Sequence, residues 1–193
     1  MIWGRRRRAR KAEADARRRA EISYGHILGQ ARQPAFYADL GVPDTVDGRF
    51  ELIALHTALV LIRLKDQGEE AKIAAQALFD QMFADMDRNL RDMGVGDLKV
   101  GKHVRRMAEA LYGRLHAYEK GLAAADAGAL EEALRRNLFG TLGAVEEPLL
   151  ENCLPDLAAY MRKAAAVLER APLTDILAGE IAFGPPPGSD ESA

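Results

Sequence analysis

The chain has very little cysteine, with Cys153 the only one among its 193 residues. A single thiol excludes an internal disulfide and a zinc site built from several thiolates. It fits a reducing compartment, and we interpret Cys153 as a small packing residue rather than a nucleophile. Serine is also scarce, because Ser23 is the only one before the C-terminal tail. No Ser/His/Asp arrangement for nucleophilic catalysis is therefore apparent.

The chain lacks a hydrophobic run of membrane-spanning length. From Leu52 to Ile62 it has no charge and only two polar side chains, His56 and Thr57. This stretch is about half of the roughly 20 apolar residues that a spanning helix needs. A helix that is apolar all round is typical of the centre of a protein. We therefore expect a buried central helix in which His56 is a hydrogen-bonded core residue.

Signals for metal, nucleotide or calcium binding are also missing. No two of the four histidines (His26, His56, His103 and His116) have the i, i+4 spacing of a helical zinc site. Residues 96–103 spell G-x-x-x-x-G-K, but His103 replaces the hydroxyl residue of a P-loop and a predicted helix precedes the motif. The start of a calcium loop at 85–89 lacks its glycine and its final glutamate. We expect no catalytic residue, metal or cofactor.

Charge is distributed unevenly along the chain. Residues 1–20 hold nine basic and two acidic side chains, a net charge of +7, which leaves −9 for the rest. This arm has good helix formers but almost no apolar face beyond alanine, so it is marginal as an isolated helix. Its cations suit an anionic membrane surface or RNA phosphates. We assign membrane or ribosome contact to Arg5, Arg6, Arg7, Arg8, Arg10 and Lys11.

Hydrophobic periodicity predicts helices and no convincing strand. We expect an all-α protein with one compact domain of about seven helices at 21–183, a basic arm at 1–20 and a disordered tail at 184–193. Asp47 is the predicted N-cap of the central helix, which would span about 48–65. Pro155 is predicted to open a later helix, since proline is favoured in a first turn.

Two features leave alternatives open. A stripe of adaptable apolar side chains (Phe79, Met82, Phe83 and Met86) suits either the core or a surface that receives an apolar partner. The polar face of the same helix, from Asp85 to Asp92, is either solvated or a docking patch.

At the entry of the central helix, Arg49 opposes the helix dipole, so we expect a carboxylate partner. That partner would be Glu51 or an acid on another protein.

Three blocks of the sequence resemble the ubiquinol–cytochrome c chaperone family. They are "ARQPAFYADLGVPDTVDGRFELIALHTALVLIRLK", "AQALFDQMFADMDRNLRDMGVGDLKVGKHVRRMAEALYGRLHAY" and "ALRRNLFG". They occur in the family's order and cover about residues 22–140. The Arg-rich start and the stretch after about residue 145 are not covered.

The resemblance implies an assembly factor rather than an enzyme, one that binds newly made cytochrome b and helps it enter respiratory complex III. In mitochondria such proteins act near the ribosome's exit tunnel with a small partner protein, at the inner membrane. The chain lacks the apolar region of a secretory signal, and Glu13 and Asp15 count against a mitochondrial presequence. We therefore expect a bacterial relative in the cytoplasm, peripherally associated with the inner membrane.

Within this interpretation, partner binding is assigned to Tyr37, Arg49, Phe50, Glu51, His56, Asp85, Asp87 and Asn89. An alternative function is RNA or ribosome binding through the basic arm, which can coexist with the first. A third hypothesis is a small helical enzyme with no recognised motif.

Overall fold

The computed structural model describes residues 2–126, 128–140 and 147–186, with no side-chain positions for 2–11, 98 and 147–149. Its elements confirm the predicted all-α fold, and the described ranges contain no strand. Eight α-helices occur, with a π-helical turn at Arg135–Phe139. In chain order they are α1 (Ile2–Ala31), α2 (Ala35–Ala38), α3 (Val46–Leu64), α4 (Glu69–Asp92), α5 (Asp97–Ala123), α6 (Gly128–Leu134), α7 (Glu147–Arg170) and α8 (Leu173–Ala178).

Helix α3 lies at the centre of the molecule, as its sequence predicts. Every residue from 51 to 60 is buried. Helices α1, α4, α5 and α7 all pack against α3. The uncharged stretch from Leu52 to Ile62, surrounded by other helices, removes apolar surface from water on every side, which is the main stabilising term in folding.

Helix α1 passes without a break through the predicted boundary between the arm and the domain. It spans Ile2–Ala31, and its buried positions include Ala16 and Ala20. The marginal helical tendency of the arm is therefore supported by packing of the second half of α1 against α4 and α3. The side chains of the arm cations at 5–11 lie outside the described residues.

The N-terminus of α3 differs from its predicted form, because Thr45 rather than Asp47 is the N-cap. The Thr45 side chain accepts a hydrogen bond from the backbone N–H of Gly48 at 3.1 Å. Asp47 lies inside the first turn, where its charge suits the helix dipole. A Cβ at Gly48 would lie 2.0 Å from the backbone oxygen of Pro43, so only glycine permits this tight entry.

The apolar stripe of α4 is mainly core. Met82, Phe83 and Met86 are buried and Phe79 is half-buried against them, so the alternative of a receiving surface does not hold for this stripe. Helix α4 ends at Asp92, and Gly94, just after the C-cap Met93, has a left-handed φ of 81°. The segment that resembles a P-loop, residues 96–103, is helical from Asp97 onward, with Gly96 as the cap.

One further prediction near the C-terminus is wrong. Pro155 lies inside α7, which is helical from Glu147, so the proline does not open the helix. Of the predicted tail, the structure describes residues 184–186, and the backbone oxygen of Gly184 accepts a hydrogen bond from Gln30 at 3.0 Å. Residues 187–193 of the predicted disordered tail lie outside the described residues.

Candidate functional site: a polar surface over the central helix

Glu51, one of the predicted site residues, lies inside the protein in an ion pair. Arg114 of α5 donates from Nε to Glu51 Oε2 at 2.7 Å and from Nη2 to Oε1. Both side chains are buried. Two parallel hydrogen bonds give such a pair a defined geometry, so it sets the position of α5 relative to α3.

His56, another predicted site residue, is fully buried and joins three elements. Its Nδ1–H donates to the backbone oxygen of Leu52 at 2.7 Å, which leaves Nε2 to accept from the Tyr160 hydroxyl at 2.7 Å. Gln30 of α1 donates to the same hydroxyl at 3.0 Å. Burial lowers the pKa of His56 to about 4, so the imidazole is neutral at physiological pH. This confirms the prediction of a hydrogen-bonded core histidine.

Glu51 and His56 are therefore not available at the surface, and any role in partner binding is indirect. Phe50 is half-buried and packs against the core. The other predicted residues of this region and of α4 do reach solvent, and they form two groups on the outside of the molecule.

The first group surrounds Asp85 on α4. The carboxylate accepts from the Tyr24 hydroxyl at 3.0 Å, from Arg88 at 3.0 Å and from Asn89 at 3.3 Å. Burial, and next the charge of Asp85, raise the pKa of Tyr24 above its usual range. Two residues along, Asp87 pairs with Arg91 at 2.6 Å, which lowers the pKa of Asp87.

The second group lies where α2 meets α3. Arg49 donates to Asp44 at 2.6 Å, so its carboxylate partner is neither Glu51 nor an external acid. This hydrogen bond lowers the pKa of Asp44. The hydroxyl of Tyr37 donates to the backbone oxygen of Ala31 at 2.8 Å, and burial, followed by Asp44, raises the pKa of Tyr37.

Arg32, just after α1, influences both groups. Its charge opposes the rise of the pKa values of Tyr24 and Tyr37. We call the members of the two groups that reach solvent, together with Arg32, the polar surface: Arg32, Tyr37, Asp44, Arg49, Asp85, Arg88 and Asn89.

The polar surface carries both signs of charge close to solvent. Its ion pairs are exposed or half-exposed, so each contributes little to stability and can exchange for a partner's charges at small cost. Among the described residues, no group of three histidine, cysteine or acidic side chains is placed to hold a metal ion. The same residues include no helix that is long and apolar enough to cross a membrane.

Sequence reasoning missed three members of these arrangements: Tyr24, Arg32 and Arg114. For Arg114 a signal existed, because it falls on the face of α5 that also carries Leu111 and Tyr118. A charged residue on a buried stripe requires a partner, and Glu51 on the buried stripe of α3 is a matching one. For Tyr24 no local pattern existed, since its partner Asp85 lies 61 residues away in the chain, and no pattern singled out Arg32.

Comparisons of the chain with known proteins agree on one family. The model of the family described as "Ubiquinol-cytochrome C chaperone" matches residues 38–183. The chain is 27% identical over 151 residues to a Xenopus laevis protein named ubiquinol-cytochrome-c reductase complex assembly factor 1, covering 78% of this chain and 72% of that protein. It is 28% identical over 154 residues to the protein CBP3, mitochondrial, of Saccharomyces cerevisiae, covering 78% of this chain but 44% of the yeast protein.

A solved structure extends the similarity to almost the whole fold. The crystal structure of the Cbp3 homolog from Brucella abortus superposes with a TM-score of 0.76 and 35% sequence identity. The alignment covers 96% of this chain and 97% of the other. The match of the family model to about three quarters of the residues, in one helical fold, shows that the chain belongs to the ubiquinol–cytochrome c chaperone family.

Proposed function

We propose that this chain is an assembly chaperone for the ubiquinol–cytochrome c reductase complex and that its client is newly made cytochrome b. Membership of the chaperone family is the observation that carries the proposal. Similar proteins from Xenopus laevis and Saccharomyces cerevisiae add support, since the first is named as an assembly factor of that complex. The chain acts by binding, without catalysing a reaction.

The polar surface is the proposed contact with the client. Arg49 and Asp44 are exposed and paired with each other, while Arg88 and Asn89 are exposed beside Asp85. Groups of this kind present positive and negative charges over a short distance. Complementary charges contribute more to the specificity for a partner than to the affinity for it. The hydrogen bonds of Gln30 and His56 with Tyr160 connect α1, α3 and α7. They hold these helices in the positions that the polar surface requires.

The experiment compares surface variants with matched controls. Arg49→Ala and Asp85→Ala should each keep the melting temperature within a few degrees, since exposed or half-exposed ion pairs are weak. Each should recover at least tenfold less cytochrome b in a pull-down from cells that synthesise the complex. Lys72→Ala and Glu109→Ala remove the same charges from exposed pairs elsewhere and should bind normally.

Leu59→Ala is the control for loss of fold. Leu59 is buried in α3, and its truncation should cost about 2–5 kcal/mol. Normal recovery of cytochrome b by Arg49→Ala and Asp85→Ala would contradict the proposed surface. Two results together would contradict the proposed function itself: the chain never recovers cytochrome b, and deletion of its gene leaves complex III activity unchanged.

A second candidate function, contact with a ribosome or with RNA, rests on the basic arm and its net charge of +7. Binding through phosphates weakens steeply as salt rises, whereas apolar contacts with a client do not. A small co-chaperone, a ribosome and an anionic membrane surface are the further partners that we propose for this chain.

A further inference from the structure

The solvent-facing side of the first turns of α5 is a second basic region, remote from the arm in sequence. From 99 to 106 the chain reads KVGKHVRR, and all its charged residues are exposed. Val100 is buried and Val104 is half-buried, which turns the intervening side chains outward. We call this the α5 basic face: Lys99, Lys102, His103, Arg105 and Arg106.

Most of these cations have no acidic neighbour to neutralise them. Arg105 pairs with Glu109 at 3.1 Å. Lys99, Lys102 and Arg106 form no ion pair and no side-chain hydrogen bond with any residue that the structure describes. The nearest acid before them, Asp97, is already paired with Arg91. Unlike α4, where acidic and basic side chains are interspersed, this face therefore keeps an excess of positive charge.

The α5 basic face is spatially separate from the arm. Arg19 of α1 pairs with Glu70 at the start of α4, so the arm lies near or beyond that end of the helix. Helix α5 follows the other end of α4 after a short connection at 93–96. The 24 residues of α4 span about 36 Å. The two basic regions consequently cannot be parts of one local patch.

We propose that the α5 basic face binds an anionic lipid surface. Charge complementarity selects an anionic partner, and the neighbouring side chains favour lipid over nucleic acid. Met93, 60% exposed just before α5, is an apolar side chain that can enter a membrane interface. No Phe, Tyr or Trp lies between 97 and 111 to stack on bases. The exposed ring of Tyr112 already packs against Phe79, with centroids 5.3 Å apart.

The test uses the full-length chain and flotation with vesicles of phosphatidylglycerol and phosphatidylcholine. Each cation near an anionic surface contributes about 1 kcal/mol, roughly fivefold in partitioning. The triple variant Lys99→Gln, Lys102→Gln, Arg106→Gln should therefore bind anionic vesicles at least tenfold more weakly. The matched triple variant Lys72→Gln, Lys163→Gln, Arg170→Gln, which removes three exposed cations elsewhere, should stay within twofold of the parent.

Circular dichroism and the melting temperature verify that both triple variants are folded. Equal losses in the two variants would mean that only net charge matters and would overturn the proposal, as would unchanged binding by the α5 variant. Loss of binding to a single-stranded RNA, with vesicle binding intact, would also overturn it and assign the face to nucleic acid. Because only purified chain and lipid are used, the result is independent of whether cytochrome b is the client.

Discussion

Glu51 and Arg114 show how two charged side chains can be tolerated inside this protein. Each would be costly to bury alone, but their paired hydrogen bonds offset the loss of water. Tyr118 lies close enough for Glu51 to contribute, after burial, to the rise of its pKa. The pair belongs to the scaffold, whereas Arg49, two residues before Glu51 on α3, belongs to the surface.

Breaking the buried pair on one side should be more harmful than removing it altogether. Arg114→Met leaves Glu51 as a buried charge without this partner, and we expect a loss of about 3–5 kcal/mol in the free energy of unfolding. The double variant Glu51→Leu, Arg114→Met should recover a large part of that loss, as measured by chemical denaturation. If the double variant were as unstable as the single one, the pair would not be the coupled unit described.

At the scale of elements, α1 joins two kinds of sequence in one continuous helix. Its second half packs against the body through Ala16, Ala20, Tyr24 and Ile27, which are all buried. Its first half carries the cations of the arm, and Ala12 is exposed. A basic segment with few apolar residues can thus continue as a helix because the following turns are held by tertiary packing.

Neutralising the arm should therefore affect binding and not folding. Replacement of Arg5, Arg6, Arg7, Arg8, Arg10 and Lys11 by glutamine should release the protein from anionic vesicles. Helical content and melting temperature should remain nearly unchanged, because glutamine is also a good helix former.

The matched control for the arm is Ala20→Arg, which adds a cation to a position only 4% exposed. It should lower the melting temperature, since overpacking of a core position costs about 1–3 kcal/mol. A comparable fall in the arm variant would mean that the arm cations pack on the body.

At the scale of the whole molecule, one buried network links the two ends of the chain. Gln30 near the end of α1 donates to Tyr160 of α7 and to the backbone of Gly184. His56 of α3 packs against Phe183 with ring centroids 4.9 Å apart. Segments from early, middle and late parts of the chain therefore meet around the neutral imidazole of His56. The stability of the fold consequently depends on whether this imidazole is protonated.

This arrangement predicts that global stability falls in acid. The pKa of His56 is about 4 in the folded state and about 6.5 when unfolded. The unfolded state therefore binds more protons between these values, so stability is lost as pH falls from about 6.5 to 4. The full difference is about 3 kcal/mol.

Denaturant unfolding at pH 7 and at pH 4.5 measures this effect. His56→Gln should flatten the pH dependence in that window, although it will also lower stability at pH 7. His26→Gln changes an exposed histidine and should leave the dependence as in the parent. An unchanged slope in His56→Gln would show that other groups control acid sensitivity.

The sequence by itself determined the helical fold, the central position of α3 and the family, because apolar periodicity and ordered motifs are local features. It also indicated that His56 is a core residue and that Arg49 needs a carboxylate. Only the tertiary structure decided which carboxylate, since Asp44 comes close through the turn that Thr45 and Gly48 allow. It likewise paired Glu51 with Arg114, 63 residues away, and Tyr24 with Asp85, 61 residues away. Such pairings depend on how helices pack against one another, and no spacing within a single helix encodes them.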